Sequence, residues 1–399
     1  MTFISKHITA LIASLAVMLA SCGSPADEPV APPRLPGDEG TVMLDLNVVV
    51  DGQTDPGAVG SRAFPVIEDG SFEDPVTDYE KLKTLRVIIV RPDGTVEHNR
   101  YVELSTPAYN VLHSDNLRFN VRHSERKTIY LLGNEAVVSK QNGDYDFSAI
   151  AVGSQFPAGT VADLKLNATI DNSLSSTSRT YVPMSESFDV QIDAPKTMDD
   201  FEITRQLFIT RSLIKFSFSV KSEVPYDTKR KLTGISVTNL ADRSYYLPRA
   251  TVYDPPKYDA GGNVTQSTND KGGRLITSFE LPDGFSTTER RFPVMPYYDL
   301  DSENELIFTP YIYMPESDVK EGSSYNVRLY FDGDKDDELS DWLGTRPLAI
   351  TDIPRNTHVK VNIKITSVGI VADVTLVPYT CISLNPGFGG FEHPEEDTN

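Results

Sequence analysis

Cysteine is scarce in this sequence, because only two occur in 399 residues, together with six histidines. So few cysteines exclude a disulfide-stapled scaffold and, with so few histidines, argue against a Cys/His metal site. Basic residues are also in the minority: 37 Lys and Arg stand against 57 Asp and Glu, which gives a net charge of −20. An acidic surface repels phosphate backbones, so we expect no nucleic-acid partner.

The sequence motifs of common enzymes are missing as well. The histidines show no HExxH or HxH spacing, and none lies beside a nucleophile motif of the kind that hydrolases use. The glycine-rich segment 387–390 fits neither a phosphate-binding loop nor a dinucleotide fingerprint. We therefore expect no catalytic residues, no cofactor and no resident metal ion.

One acidic segment imitates the start of a calcium-binding loop. Asp332, Asp334 and Asp336 stand at its first, third and fifth positions. The sixth position of such a loop is Gly and the twelfth is Glu, whereas here they are Asp337 and Leu343. An acidic hairpin tip is the favoured interpretation, and calcium binding by the three aspartates stays open.

The N-terminus has the parts of an export signal. Lys6 supplies a positive charge, and residues 8–19 form an apolar stretch that is too short to span a bilayer. It ends in Leu19-Ala20-Ser21-Cys22, which resembles the lipobox of bacterial lipoproteins; an ordinary secretory signal is the alternative. The resemblance implies that residues 1–21 are removed and that Cys22 carries the lipid. Residues 22–41 are rich in Pro, Gly and acidic side chains, which predicts a flexible, lipidated tether.

The remainder of the chain is patterned for β-strands. Glycine (25) and proline (27) separate short apolar runs, and no long segment has a helical period. The first run, 42–50, places one fully apolar face on alternate residues, which are Val42, Leu44, Leu46, Val48 and Val50. Further strands are predicted at 85–91, 128–133, 161–170, 214–220, 359–365 and 370–376. A run interrupted by Pro310 is expected at a sheet edge, because proline donates no ladder hydrogen bond.

This pattern predicts an all-β protein with two β-sandwich domains in tandem. The polar segment 193–204 is the expected boundary between them. The N-terminal sandwich would then cover residues 42–200 and the C-terminal sandwich residues 201–391. The final residues, 392–399, are predicted to be an acidic tail.

Short motifs along nearly the whole mature chain resemble the fimbrillin family, the lipoprotein-derived type V pilins of Bacteroidetes. They are the lipobox at 19–22, SRAF at 61–64 before LRVIIV at 85–90, KTIYLLGNE at 127–135, VPMS at 182–185, RSLIKF at 211–216 and RNTHVKV at 355–361. The resemblance implies two transthyretin-like β-sandwiches. It also implies that the partners are other fimbrial subunits and that the protein is a structural subunit of an adhesive surface fimbria, not an enzyme.

The resemblance further implies a route of assembly. Family precursors are lipidated, exported to the outer surface and then cut by an arginine-specific protease, which frees the first strand for replacement by a strand of another subunit. Before the cut, the lipid attaches the precursor to the outer membrane. On this chain, cleavage would fall between Arg62 and Ala63 and would release strand 42–50. A cut after Arg34 would remove the lipid but leave that strand in place, so Arg62 is the better candidate. The donor strand is expected within residues 370–391.

Two alternatives stay open. The chain could serve as an anchor or a tip accessory pilin instead of a stalk subunit. It could instead be a surface glycan-binding lipoprotein that stays attached through Cys22, with Tyr245-Tyr246 or Tyr297-Tyr298 stacking on sugars. Neighbouring strand residues point to opposite faces, so only one tyrosine of each pair is expected to be exposed.

Overall fold

The computed structural model describes residues 40–51, 78–112, 114–167, 170–171, 180–222, 232–253, 257–258, 264–265, 276–298, 305–319, 323–331, 345–350, 352–367 and 369–378. Within these ranges the chain is mostly β-strand, and the two α-helices are short: α1 at Ala136–Gln141 and α2 at Ala158–Ala162. The prediction of an all-β fold is confirmed.

Ten strands belong to the first half of the chain. They are β1 (Thr41–Val50), β2 (Leu82–Val90), β3 (Val96–Ala108), β4 (Asn110–Val111), β5 (Arg118–Arg122), β6 (Glu125–Gly133), β7 (Lys165–Leu166), β8 (Ile170–Asp171), β9 (Met184–Ile192) and β10 (Glu202–Arg211). A 3-10 turn at Asp78–Glu80 precedes β2, and another at Met198–Phe201 precedes β10.

The first β-unit comprises β1–β6, β9 and β10, in the order β3-β2-β6-β9-β10-β1-β4, with β5 also paired to β1. Strand β10 connects two parts of this sheet, since its residues 202–209 pair with β1 and its last two residues pair with β9. As a result, β1 lies across the core from β2 and β6. Leu44 and Leu46 of β1 belong to one apolar cluster with Val87 of β2 and Ile129 of β6.

Fifteen strands follow in the second half. They are β11 (Leu213–Ser222), β12 (Leu232–Ala241), β13 (Ser244–Tyr245), β14 (Val252–Tyr253), β15 (Lys257–Tyr258), β16 (Val264–Thr265), β17 (Ile276–Ser278), β18 (Thr287–Tyr298), β19 (Glu305–Pro315), β20 (Ser317–Asp318), β21 (Asn326–Phe331), β22 (Arg346–Pro347), β23 (Asp352–Ile353), β24 (Thr357–Thr366) and β25 (Gly369–Pro378).

The second β-unit consists of two sheets, β25-β24-β11-β19-β8 and β18-β12-β21-β22. Both sheets supply one core, which contains Phe216, Phe218 and Val361 from the first sheet and Ile235 and Leu329 from the second. Its β11 runs parallel to β24, as β1 runs parallel to β10 in the first β-unit.

The chain passes from one β-unit to the other at Ser212, between β10 and β11. The boundary expected at 193–204 therefore lies just ahead of the change of sheet, and the domain limits stay a prediction. A third apolar cluster joins the units, because Ile88 and Leu132 of the first lie with Leu213 and Tyr313 of the second. The two units thus share a buried junction.

Two local expectations have clear outcomes. The strand expected at 161–170 is wrong: Val161 belongs to α2, and only the short strands β7 and β8 follow it. Val161 and Leu164 are both buried three residues apart, a spacing that suits a helical turn better than a strand. Pro310 lies in β19, opposite the point where the β11–β19 register shifts between Phe216 and Phe218. On its other side β19 pairs with β8 at Ile312 and Tyr313, so the expectation that this run is an edge strand is wrong there. Among the described residues, no pairing on that side involves Pro310 itself.

Candidate functional site: the groove that holds the first strand

Strand β1 lies between two other strands, with hydrogen-bonded neighbours on both sides. On one side it runs parallel to β10 over eight residue pairs, from Met43–Glu202 to Val50–Ile209. On the other side it runs antiparallel to β5 over five pairs and to β4 over two. Removing β1 would therefore expose two ladders at once and separate β10 from β5. We call the space between these two strands the strand groove.

The inward face of β1 is the apolar face found in the sequence. Its members are at most 1% exposed, and they are Val42, Leu44, Leu46, Val48 and Val50. They pack with residues of β2, β6 and β10, including Val87, Ile129 and Ile209. The side chains of β1 thus fill the centre of this core rather than its margin.

The opposite face of β1 is also nearly closed to solvent. Asp45 is 6% exposed, Asn47 8% and Val49 8%. The alternation of apolar and polar residues provided no reason to expect two polar side chains of β1 to be buried. A strand that occupies this position is enclosed on both faces.

The far wall of the strand groove is held by side chains. Among the described residues, β5 forms a ladder with β1 alone. On its outer side, Arg100 of β3 donates to the carbonyl oxygens of Asn116 (3.0 Å) and Arg118 (2.9 Å). The Nε2 atom of His98 lies 2.8 Å from the carbonyl oxygen of Asn120. These contacts occupy main-chain groups of β5 and of the turn before it that would otherwise form an open edge, and they tie β5 to β3 independently of β1.

The segment that follows β1 starts at the junction of the β-units. Asp51, which is fully buried, donates its backbone N–H to the carbonyl oxygen of Ile209 (2.8 Å). The described chain resumes at Asp78, and two residues later Glu80 is again fully buried. Glu80 accepts an ion-pair contact from Lys215 (3.0 Å) and a hydrogen bond from the Tyr313 hydroxyl. The residues on either side of segment 52–77, Asp51 and Glu80, are therefore both held in the interior.

Further buried polar contacts connect the two β-units. Arg355 and Glu316 are each 1% exposed and form an ion pair. Arg355 also donates to the carbonyl oxygens of Tyr246 (2.8 Å) and Tyr245 (2.7 Å). The Tyr246 hydroxyl donates to the Met184 carbonyl oxygen (2.9 Å), and burial raises the pKa of this hydroxyl well above its ordinary value. It therefore stays a neutral donor at the pH of any cell surface.

A second buried cation supports the β3–β6 side of the first β-unit. Lys127 is fully buried and forms ion pairs with Glu97 and Glu125. Glu125 also accepts two hydrogen bonds from Arg91 (3.0 and 3.1 Å). The Arg91 hydrogen bond, followed by that of Lys127, lowers the pKa of the Glu125 carboxyl despite partial burial. The carboxylate is thus held in its charged form beside both cations.

Several sequence predictions concern residues that lie outside the described ranges. These are Cys22, Arg62, Ala63 and the three aspartates Asp332, Asp334 and Asp336. Lipidation and cleavage therefore stay predictions, and calcium binding by the three aspartates stays open. In the part of the chain that the structure describes, no group of three or more His, Cys, Asp or Glu is arranged to hold a metal ion.

The tyrosine pair at 245–246 is not available to a sugar. Tyr245 is 4% exposed and Tyr246 is fully buried, so the expectation that one of the two is exposed is wrong. Arg249 covers the Tyr245 ring, with its guanidinium carbon 4.7 Å from the ring centroid. The pair serves the junction between the β-units.

Sequence reasoning missed the residues of this junction. Arg211, Lys215 and Arg355 lie within or beside strands, where their charges suggested solvent-facing positions. The available signal was that Arg211 and Arg355 each open one of the short motifs that carry the family resemblance.

Among the described residues, no helix is both long enough and apolar enough to cross a membrane.

Comparison with known proteins gives results at the level of structure only. No protein-family model and no curated protein matches the sequence. Solved structures similar to this chain include a fimbrilin (FimA) from Porphyromonas gingivalis W83, with a TM-score of 0.45 and 13% identity over 85% of this chain and 98% of that one. The tip fimbrial protein Mfa3 from Porphyromonas gingivalis gives 0.44 and 12% over 85% and 99%. A fimbrial assembly protein from Parabacteroides distasonis gives 0.41 and 7% over 84% and 99%. All three of those proteins are described as fimbrial.

Proposed function

We propose that this chain is a non-enzymatic structural subunit of a surface fimbria that contributes to adhesion. It is exported as a lipoprotein attached to the outer membrane through Cys22 and is cut between Arg62 and Ala63 by an arginine-specific protease. The cut frees β1 from the rest of the chain. A strand from a neighbouring subunit then enters the strand groove, and repetition of this step builds the polymer.

The observation that supports this proposal is the position of β1. It has ladders on both sides and five aliphatic side chains in the core, yet its covalent connection to the rest of the first β-unit runs through segment 52–77 alone. Arg62 is the single basic residue of that segment. One cut by an arginine-specific protease therefore converts β1 from a part of the chain into a bound fragment.

The energies involved fit an exchange reaction. Burying an aliphatic side chain contributes roughly 1.5–3 kcal/mol, so the five inward residues contribute about 7–15 kcal/mol, an upper estimate. This is comparable with the whole stability of a domain, about 5–15 kcal/mol. A first β-unit without β1 is thus marginally stable, and a strand that fills the groove restores both its ladders and its core. That mode of association is β-strand addition.

The precursor also has to avoid early polymerisation. An open sheet edge with apolar pockets pairs readily with other chains and promotes aggregation. In the uncut chain, β1 occupies the strand groove as an intramolecular segment at high effective concentration, which excludes competing strands. Cleavage after export would make polymerisation depend on the protease.

Cleavage is tested by comparing Arg62→Ala with Arg34→Ala, because these are the two arginines that precede residue 63. Surface fibres are isolated from cells that express each variant, and their N-termini are sequenced. We expect the Arg34→Ala chain to begin at Ala63 and to form polymeric ladders on gels, and the Arg62→Ala chain to remain uncut and monomeric. An unchanged N-terminus and unchanged ladders in Arg62→Ala would contradict the proposal.

A further inference from the structure

Arg211 contacts the main chain on both sides of segment 52–77. It is the last residue of β10, is fully buried and pairs with Met184 of β9 in the sheet. Its Nη1 donates to the Asp51 carbonyl oxygen (3.2 Å), and its Nε donates to the Glu80 carbonyl oxygen (3.3 Å). One guanidinium thus holds the main chain on both sides of the predicted cleavage site.

The same guanidinium reaches the second β-unit. Its Nη1 also donates to the side-chain oxygen of Asn356 (3.2 Å), and the Asn356 N–H donates to the carbonyl oxygen of Leu213 (3.0 Å). Of these three acceptors for Arg211, those on Glu80 and Asn356 belong to parts of the chain that remain in the subunit after cleavage. The third, the Asp51 carbonyl, belongs to the segment that leaves with β1.

A buried guanidinium carries a permanent charge, and the loss of a hydrogen bond to it in the interior costs more than the loss of a neutral one. The acceptor on Asp51 is a main-chain carbonyl, which every residue type provides. The contact therefore selects the length and register of a strand rather than its sequence. A strand that stops one residue short would fill the apolar pockets and still fail to reach Arg211.

We propose that Arg211 is a positioning residue that sets the end point of any strand bound in the strand groove. The incoming segment must extend one residue beyond the last apolar pocket, which Val50 fills here, and must present a main-chain carbonyl at the position of Asp51. This inference rests on the proposed function, because it concerns the strand that replaces β1.

The test uses the full chain after limited digestion with an arginine-specific protease, with the new N-terminus confirmed at Ala63. Three fluorescent peptides compete with the bound fragment: residues 41–50 with a C-terminal carboxamide, residues 41–51 with a carboxamide, and the 41–51 peptide carrying Asp51→Ala. The carboxamide nitrogen of the shortest peptide takes the place of the Asp51 N–H, so the bond to Ile209 is kept. The Asp51→Ala peptide keeps the carbonyl and removes the side chain.

We expect the 41–51 peptide to bind about 10- to 100-fold more tightly than the 41–50 peptide, the factor that corresponds to one buried hydrogen bond to a charged group. The Asp51→Ala peptide should retain most of this advantage. In the cut Arg211→Met chain, which has no donor at this position, the advantage of the longer peptide should disappear. The comparison of peptides on the unmodified chain stands even if Arg211→Met does not fold.

The outcomes separate this inference from the proposed function. If no peptide ever displaces the fragment, β1 is a permanent strand and the proposed function fails together with this inference. If the 41–50 and 41–51 peptides bind equally well, exchange takes place but Arg211 does not set the end point. If Asp51→Ala lowers affinity as much as removal of the whole residue, the side chain and not the carbonyl is recognised, and the inference is overturned.

Discussion

Replacing Leu46 with alanine distinguishes a removable strand from a permanent one. Leu46 is fully buried at the centre of β1, and its side chain faces the core of the first β-unit. Leu132 of β6 provides a matched control, because it is also a fully buried leucine of the same β-unit. Its side chain belongs to a different apolar cluster, at the junction with the second β-unit, and therefore does not line the strand groove.

In the uncut chain the two substitutions should be equivalent. Each removes three carbons from a packed core, and Leu→Ala substitutions of this kind typically cost about 2–5 kcal/mol of the free energy of unfolding. After cleavage at Arg62, the cost of Leu46→Ala appears instead in the binding of the β1 fragment. That cost corresponds to a dissociation constant about 30- to 4,000-fold higher, since about 1.4 kcal/mol is a factor of ten.

The assay measures urea unfolding of the uncut chains and fragment release from the cut chains by native mass spectrometry. Both variants should unfold at lower urea concentration before the cut, but Leu46→Ala alone should release the fragment strongly. In assembled fibres, where a donor strand has replaced β1, Leu46→Ala should no longer reduce stability, whereas Leu132→Ala should still do so. Equal fragment release from both variants, or fibres weakened by Leu46→Ala, would refute the reasoning.

Three further predictions concern stability. Burial, followed by the charges of nearby lysines, lowers the pKa of His358 well below its ordinary value. As the pH falls below about 6.5, the unfolded chain gains a proton that the folded chain does not, so the free energy of unfolding should fall by about 1.4 kcal/mol per pH unit. Chemical unfolding at pH 8 and pH 5 should show a smaller loss in the His358→Gln variant than in the unmodified chain. Asp318 and Asp352 pair directly across β20 and β23, and burial followed by the Asp352 charge raises the pKa of Asp318. Asp352→Asn should therefore raise stability by roughly 0.2–1 kcal/mol at pH 7. The gain should vanish near pH 2, where the Asp318 carboxyl is protonated and no longer repels its neighbour; an equal gain at both pH values would exclude charge repulsion. Gly133→Ala should lower stability by about 1–3 kcal/mol in thermal unfolding, because the new Cβ would lie 3.1 Å from the Cβ of Met184.

The sequence predicted the fold where one physical rule acts alone. Alternation of apolar residues identified β1 and its inward face, because a sheet with one face in a core needs side chains of period two. It identified β11 and β24 for the same reason. It failed at 161–170, where a run of apolar residues without strict alternation folds into α2, β7 and β8. Short apolar runs of this kind do not distinguish helix from strand.

Alternation does not show which strands pair. The parallel pairing of β1 with β10 joins residues about 160 positions apart in the sequence, and no local signal encodes it. The burial of Asp45 and Asn47 accompanies that pairing, so it could not be predicted either. What makes β1 a candidate for exchange, its central position between two other strands, is therefore a property of the topology.

The short motifs nevertheless contained more information than their apolar residues. Asn134, in the motif at 127–135, has a φ of 54° and is 4% exposed, and its side chain bonds the main chain of four residues, Lys81, Lys83, Thr84 and Val182. Asn356, in the motif at 355–361, has a φ of 57°, is 5% exposed and contacts Arg211. Asparagine tolerates the left-handed region and carries both donors and an acceptor. Polar residues embedded in such motifs thus mark places where main chains from distant parts of the sequence meet, and in this protein one of those places lies at the end of the strand groove.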